Sequence, residues 1–189
     1  MQIVDTFKIG ILKQENFLSE IECQAIIKKS SKYQFTNHNA LNGDCLTTYN
    51  TKKDKIFDYL TANQISKLLE LTNSYCQSTG FPTVNISNAW INIQGKNTIL
   101  KKHAHPLSVV SGALFLKTDQ DSSGLYFSNP LKHHYQPIEH TTAYSFDYYK
   151  INAIQGTLVI FPSWLEHSSN EIINNSNKRI VLSFNTYKL

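Results

Sequence analysis

His103 and His105, one residue apart, and His167, far downstream, have the spacing best suited to chemistry in this chain of 189 residues. Side chains alternate faces along an extended segment, so imidazoles at i and i+2 point the same way. A third imidazole brought in by a distant strand can close a three-nitrogen cap on one metal ion and leave other coordination positions open. Imidazole suits iron, zinc, copper or nickel rather than magnesium or calcium. The approach to His167 reinforces this reading. Gly156–Phe161 and then Pro162-Ser163-Trp164-Leu165-Glu166 form an apolar strand and a proline turn, which would deliver a ligand at the mouth of a β-barrel. Arg179 is the only arginine in a chain that otherwise uses lysine, and it is followed by Ile180-Val181-Leu182. A planar guanidinium in apolar surroundings is a natural bidentate partner for a carboxylate, and Ser183, on the same face at i+4, can add a second hydrogen bond.

Other polar residues fit this constellation less well. His133 and His134 are adjacent and would face apart on a strand; with His38 and His140 they read as ordinary surface or core histidines. Glu166 adjoins His167 and would point away from the site, and Asp119 and Asp121 belong to a turn. Trp90, Asn92 and Gln94 alternate onto one face ahead of the histidine pair. Asn92 there is either a pocket residue or a turn cap, and Trp90 either a pocket wall or core.

The elements that must hold these residues are mostly strands. Apolar segments Thr83–Gln94, Val109–Lys117, Gly124–Phe127, Ala143–Tyr149, Gly156–Phe161 and Arg179–Tyr187 alternate with turn-rich stretches, the pattern of a β-sandwich or barrel. Ahead of Pro82 the character is helical. A strand is expected over Phe7–Leu12. Ser19-Glu20-Ile21-Glu22 has the capping-box form and opens a helix running to about Lys29, with Ile21, Ala25 and Ile26 as its apolar residues. Residues 31–55 read as a long irregular or hairpin connection. Ile65, Leu68, Leu69, Thr72, Tyr75 and Cys76 recur at helical spacing, with Gly80 as the stop. The expectation is a mainly β chain with flanking helices (α+β) and a single domain. Residues 1–82 give helical support and residues 83–189 the β core.

Bulk properties exclude several classes. A formal net charge of +4 comes from scattered lysines with no basic run, so there is no nucleic-acid signal. No apolar run approaches a membrane span, and mean hydropathy is −0.32. The segment Met1–Asp5 lacks the apolar core of a secretion signal. Cys23, Cys45 and Cys76 have no metal-like spacing and read as free thiols of a reducing compartment. A cytoplasmic location is expected.

His103–Pro106, Ser111-Gly112 with its aliphatic strand, Phe127-Ser128-Asn129-Pro130, Gly156–His167 and Arg179–Asn185 occur in this order and with sensible spacing. Together they resemble the iron- and 2-oxoglutarate-dependent oxygenases, in a branch reading H-x-H-P…S-G…F-x-N-P…G-x-L-x-x-F-P-S-x-x-x-H…R-x-x-x-S-F-N. Phe17–Cys23 is similar to the first helix of prolyl-hydroxylase-like members. The resemblance implies a double-stranded β-helix (jelly-roll) core with two N-terminal helices packed outside. It implies Fe(II) on His103, His105 and His167, with 2-oxoglutarate as co-substrate, clamped by Arg179 and Ser183 and contacted by Asn92. Dioxygen and a small-molecule or peptidyl substrate would complete the reaction, which hydroxylates an unactivated C–H and releases succinate and carbon dioxide. The chain departs from the usual two-histidine, one-carboxylate face in having His105 where the carboxylate stands. His105 is then a ligand or, alternatively, faces the substrate. Gly156–Asn170 also fits the second motif of cupins, giving a three-histidine enzyme without 2-oxoglutarate, although Pro106–Gly112 lacks the acidic residue cupins carry there. A non-catalytic jelly-roll binding module is the third reading.

Overall fold

The computed structural model describes all residues except 1, 4, 5, 7, 38–40, 50, 52–53 and 133–138. The first half carries β1 (Leu12–Gln14), α1 (Glu20–Ser30), the short strands β2 (Thr36–Asn37), β3 (Leu41–Asn42) and β4 (Cys45–Thr47), and α2 (Ala62–Thr79). The second half carries β5 (Val84–Gln94), β6 (Ile99–Leu100), β7 (Val110–Lys117), β8 (Leu125–Ser128), β9 (Tyr148–Ile151), β10 (Leu158–Pro162), β11 (His167–Ser168) and β12 (Arg179–Lys188).

Both helices start where side chains satisfy the first-turn N–H groups. Ser19 Oγ accepts from Glu22 N–H while Glu22 Oε2 accepts from Ser19 N–H, which is the expected capping box. Thr61 and Gln64 make the same reciprocal pair at α2. Gly80, at φ 78°, takes the left-handed conformation that ends α2 and that glycine adopts without strain. The buried face of α1 is Cys23, Ile26 and Ser30. Ile21, expected on that face, is 82% exposed, because it sits about half a turn away from the Cys23–Ile26 stripe.

Seven strands form one antiparallel sheet in the order β1-β10-β7-β12-β5-β4-β2. A second sheet has the order β11-β8-β9, and β3 pairs with β6. The helices lie outside the larger sheet, α1 against β7 and α2 against β5. Leu18, Ile26, Leu68, Tyr75, Leu114 and Leu182 fill this outer layer. Phe115, Leu125, Phe127, Val159, Phe161 and Val181 fill the space between the two sheets. β7 is covered on both faces, with Leu114 toward the helices and Phe115 toward the interior, which explains its unbroken apolar run. The architecture is a jelly-roll with two supporting helices.

Two expected strands are displaced. The first forms over Leu12–Gln14, where Leu12, Lys13 and Gln14 meet Ile160, Val159 and Leu158 of β10. Residues 8–11 adopt no strand, and Phe7 lies outside the described residues. Of Ala143–Tyr149, only Tyr148 and Tyr149 enter a strand. Thr142 and Ser145 instead close a side-chain turn, with Thr142 N–H donating to Ser145 Oγ and Tyr144 N–H donating to Thr142 Oγ1. Such local bonds compete with the sheet ladder. The 31–55 region does contain a hairpin, β2 with β4, that extends the larger sheet. The three cysteines are free and buried. Among the described residues, no helix is long and apolar enough to cross a membrane.

Candidate active site

His103 and His167 meet across an isolated antiparallel bridge, with His103 N–H donating to the His167 carbonyl (3.1 Å) and His167 N–H to the His103 carbonyl (3.0 Å). Directly opposed residues project to the same side, and the two rings lie 4.3 Å apart, centroid to centroid. His105 N–H donates to the Ser163 carbonyl (2.8 Å), which turns its ring toward the same point. The potential ligand atoms of the three side chains all lie within 4.8 Å of one another.

The residues around the histidines hold this geometry. Ser111 Oγ bonds Ser163 Oγ (2.7 Å) and donates to Asn185 Oδ1 (2.8 Å). These three polar residues, from β7, from the turn after β10 and from β12, tie together the segments that carry His105 and His167. The Ser-Gly, Phe-Pro-Ser and Ser-Phe-Asn motifs meet here. At Gly112 an added Cβ would lie 2.2 Å from the Phe184 ring, so only glycine lets β12 pack this close.

The ring nitrogens are prepared for a cation. Nδ1–H of His103 donates to the Lys101 carbonyl (2.8 Å) and Nδ1–H of His167 to the Leu165 carbonyl (3.1 Å), leaving Nε2 of each as a lone pair. His105 Nε2 and His167 Nε2 are 3.4 Å apart. Two nitrogens bound at about 2.1 Å to one metal ion are separated by roughly 3.0–3.4 Å. Burial lowers the pKa of His103, and burial with repulsion from His103 lowers that of His105 to about 4. Burial, again with His103 nearby, drives His167 well below the usual histidine value. All three are therefore neutral at pH 7. Glu166 is turned outward and pairs with Lys102 (3.3 Å). Asp119 accepts from Ser176 and Ser122 hydroxyls in a turn. Neither acid joins the cluster. His133 and His134 lie outside the described residues.

The histidines open onto a pocket between the sheets that is also lined by Trp90, Asn92, Gln94, Arg179 and Ser183. The cross-strand register of β5 and β12 orders these residues. Ser183 faces Trp90, Val181 faces Asn92 and Arg179 faces Gln94, so they form rows along one inward surface. The Trp90 ring is 6.0 Å from His105, which marks the histidine end; Arg179 and Gln94 mark the other. Ser183 is four strand residues from Arg179, about 13 Å, and belongs to the histidine end.

Arg179 is buried, and burial lowers its pKa to about 10. Its Nε donates to the Ser123 carbonyl (3.0 Å) and Nη1 to Gln94 Oε1, and the guanidinium lies over the Phe115 ring at 5.3 Å. No carboxylate pairs with it among the described residues. Two further donors of pocket-lining residues, Trp90 Nε1 and Gln94 Nε2, are buried without a partner among the described residues. Thr47 Oγ1 donates to Asn92 Oδ1 (2.7 Å), which directs the Asn92 amide nitrogen elsewhere. A cation site at one end, an unpaired guanidinium at the other and N–H donors between them suit an anionic, acceptor-rich ligand. The donor chemistry therefore fits both a metal ion and a small dicarboxylate. The role of Gln94 was not legible in the sequence. Alternation placed it beside Trp90 and Asn92, but its pairing with Arg179 depends on register.

A wider cleft of about 800 Å³ lies beside this pocket, walled by Ile9, Ile11, Tyr144, Phe146 and Tyr149, with Phe127 and Leu165 at its floor. Phe127 stands 6.0 Å from the His167 ring. Tyr144 and Tyr149 are about half exposed, so this aromatic segment forms a surface wall rather than sheet core.

Residues 88–185 match the family described as "Putative 2OG-Fe(II) oxygenase". No curated protein matches the sequence. Among solved structures, the chain is similar to a Pseudomonas putida prolyl-4-hydroxylase, with 13% identity, TM-score 0.64 and coverage of 96% of this chain and 94% of that one. It is also similar to HygX from Streptomyces hygroscopicus with nickel and 2-oxoglutarate bound, with 9% identity, TM-score 0.61 and coverage of 95% and 83%. A third is the non-heme alpha ketoglutarate dependent epimerase SnoN from nogalamycin biosynthesis, with 10% identity, TM-score 0.64 and coverage of 95% and 77%. At these identities the likeness is one of fold.

Proposed function

The chain belongs to the 2OG-Fe(II) oxygenase family, and from that premise we propose that it is an Fe(II)- and 2-oxoglutarate-dependent dioxygenase that hydroxylates an unactivated C–H of a small-molecule or peptidyl substrate. The observation that carries this reading is Arg179, a buried guanidinium with no acidic partner among the described residues, in the same pocket as three converging neutral histidines.

His103, His105 and His167 would hold the ferrous ion. When bound, iron and 2-oxoglutarate supply the oxidising chemistry, coupling dioxygen reduction and decarboxylation to succinate and carbon dioxide with oxidation of the substrate. The protein's own contribution is binding and orientation. Three imidazoles leave the charge of the ion uncompensated by protein, which favours an anionic chelating group beside them. Arg179 attracts the distal carboxylate from the opposite end, in a buried site where charge interactions are weakly screened. Asn92 lines the path between and Ser183 the histidine end, where each offers hydrogen bonds to the co-substrate. Phe115, Phe161 and Val181 keep the pocket dry. The cupin-type alternative leaves a buried Arg179 without a task.

Anaerobic addition of Fe(II) and 2-oxoglutarate tests this directly. A visible metal-to-ligand charge-transfer band is expected, and Arg179→Ala should lose it at the same co-substrate concentration. Metal uptake indifferent to 2-oxoglutarate would support the cupin reading instead, and no metal uptake would overturn both.

A further inference from the structure

Gln94 is paired with Arg179 across β5 and β12, and chemistry dictates the orientation of its amide. A guanidinium has N–H donors and no acceptor. The atom of Gln94 that meets Arg179 Nη1 must therefore be the carbonyl oxygen Oε1, and Nε2–H₂ is forced to the other side. There it is buried, with no partner among the described residues, in a side chain only 2% exposed. A buried donor without an acceptor is destabilising, and native proteins keep few of them. Gln94 and Arg179 both line the same pocket.

We propose that Gln94 is a specificity-determining residue whose Nε2–H donates to the distal carboxylate of the 2-oxo acid alongside Arg179. Together the two side chains select dicarboxylic over monocarboxylic 2-oxo acids. Oε1 positions the guanidinium, and Nε2 supplies a neutral donor that a carboxylate satisfies and a methyl group does not. This role deepens the co-substrate reading above and depends on it.

Gln94→Glu keeps an acceptor for Arg179 Nη1 but removes the N–H donor, pairs with the guanidinium and sets a negative charge against the incoming carboxylate. The measurement is the dissociation constant, by anaerobic titration of the charge-transfer band with Fe(II) present, for 2-oxoglutarate and for 2-oxopentanoate, which lacks the distal carboxylate. The expected result is at least a hundredfold weaker 2-oxoglutarate binding in Gln94→Glu, with 2-oxopentanoate binding changed less than threefold. Retention of 2-oxoglutarate affinity within threefold would overturn the proposal. Should the charged variant fail to fold, Gln94→Leu serves: the preference for 2-oxoglutarate over 2-oxopentanoate should shrink at least tenfold, and an unchanged preference overturns the assignment. Wild-type protein that binds neither acid would sink the co-substrate reading itself, an outcome separate from failure of the Gln94 role.

Discussion

At the scale of single residues the unusual feature is a candidate metal-binding face built from imidazole alone. Neutral ligands would place no negative charge beside an ion, and Arg179, Gln94 and Trp90, the last two with donors lacking a partner among the described residues, line the same pocket. The whole cavity is thus positive in character and donor-rich, which suits a dianionic ligand bridging its ends. His105 decides whether this account is right, because its ring holds the position at which a carboxylate is usual. His105→Ala should lower Fe(II) affinity roughly tenfold or more, measured by competition with a chromogenic chelator. An unchanged affinity would make His105 a pocket wall. The histidine triad was legible in the sequence because residue type and the i, i+2 spacing carry it. Gln94 was not, since an isolated glutamine in a strand announces nothing until its neighbour across the sheet is known.

At the scale of elements, the site depends on turns that hold short segments in place. β11 is two residues long and cannot orient His167 by its own ladder. The Ser111–Ser163–Asn185 bonds and the bridge to His103 do so instead. These residues were visible as motif letters in the sequence, yet their joint purpose appears only when β7, β10 and β12 lie side by side. Gly156 plays a similar part in the scaffold. Its φ is 77°, its carbonyl accepts from Leu18 N–H (3.2 Å), and an added Cβ would lie 2.2 Å from the Leu18 carbonyl oxygen. It therefore joins the start of α1 to the turn before β10. Gly156→Ala should destabilise the protein by roughly 1–3 kcal/mol, through both backbone strain and overlap. Thermal unfolding should show this as a drop of about 2–4 °C per kcal/mol, and an unchanged midpoint would refute the close approach. The helices were readable from capping boxes and periodicity. The strand at Ala143–Tyr149 was misplaced because Thr142 and Ser145 hold a turn that β-propensity does not reveal.

At the scale of the whole molecule, two sheets enclose one polar pocket inside an otherwise apolar interior, and a ligand bound there must stabilise the fold by mass action. With Mn(II) as a redox-stable stand-in and 2-oxoglutarate at a hundred times its dissociation constant, about 2.7 kcal/mol is expected, a rise in midpoint of roughly 5–10 °C. Metal alone should give less, and Arg179→Ala should remove the co-substrate increment. Absence of any increment in the wild type would count against a 2-oxoglutarate site. The amino-acid sequence by itself determined the ligand types, the single arginine, the alternation that turns Trp90, Asn92 and Gln94 to one face, and the strand-rich class, because these follow from side-chain chemistry and local periodicity. Only the tertiary structure decided that Lys102 is the partner of Glu166, that Ser183 stands opposite Trp90 at the histidine end, and that Gln94 is the residue facing Arg179. Each depends on cross-strand register, and a register is set by packing between distant segments rather than by any one of them.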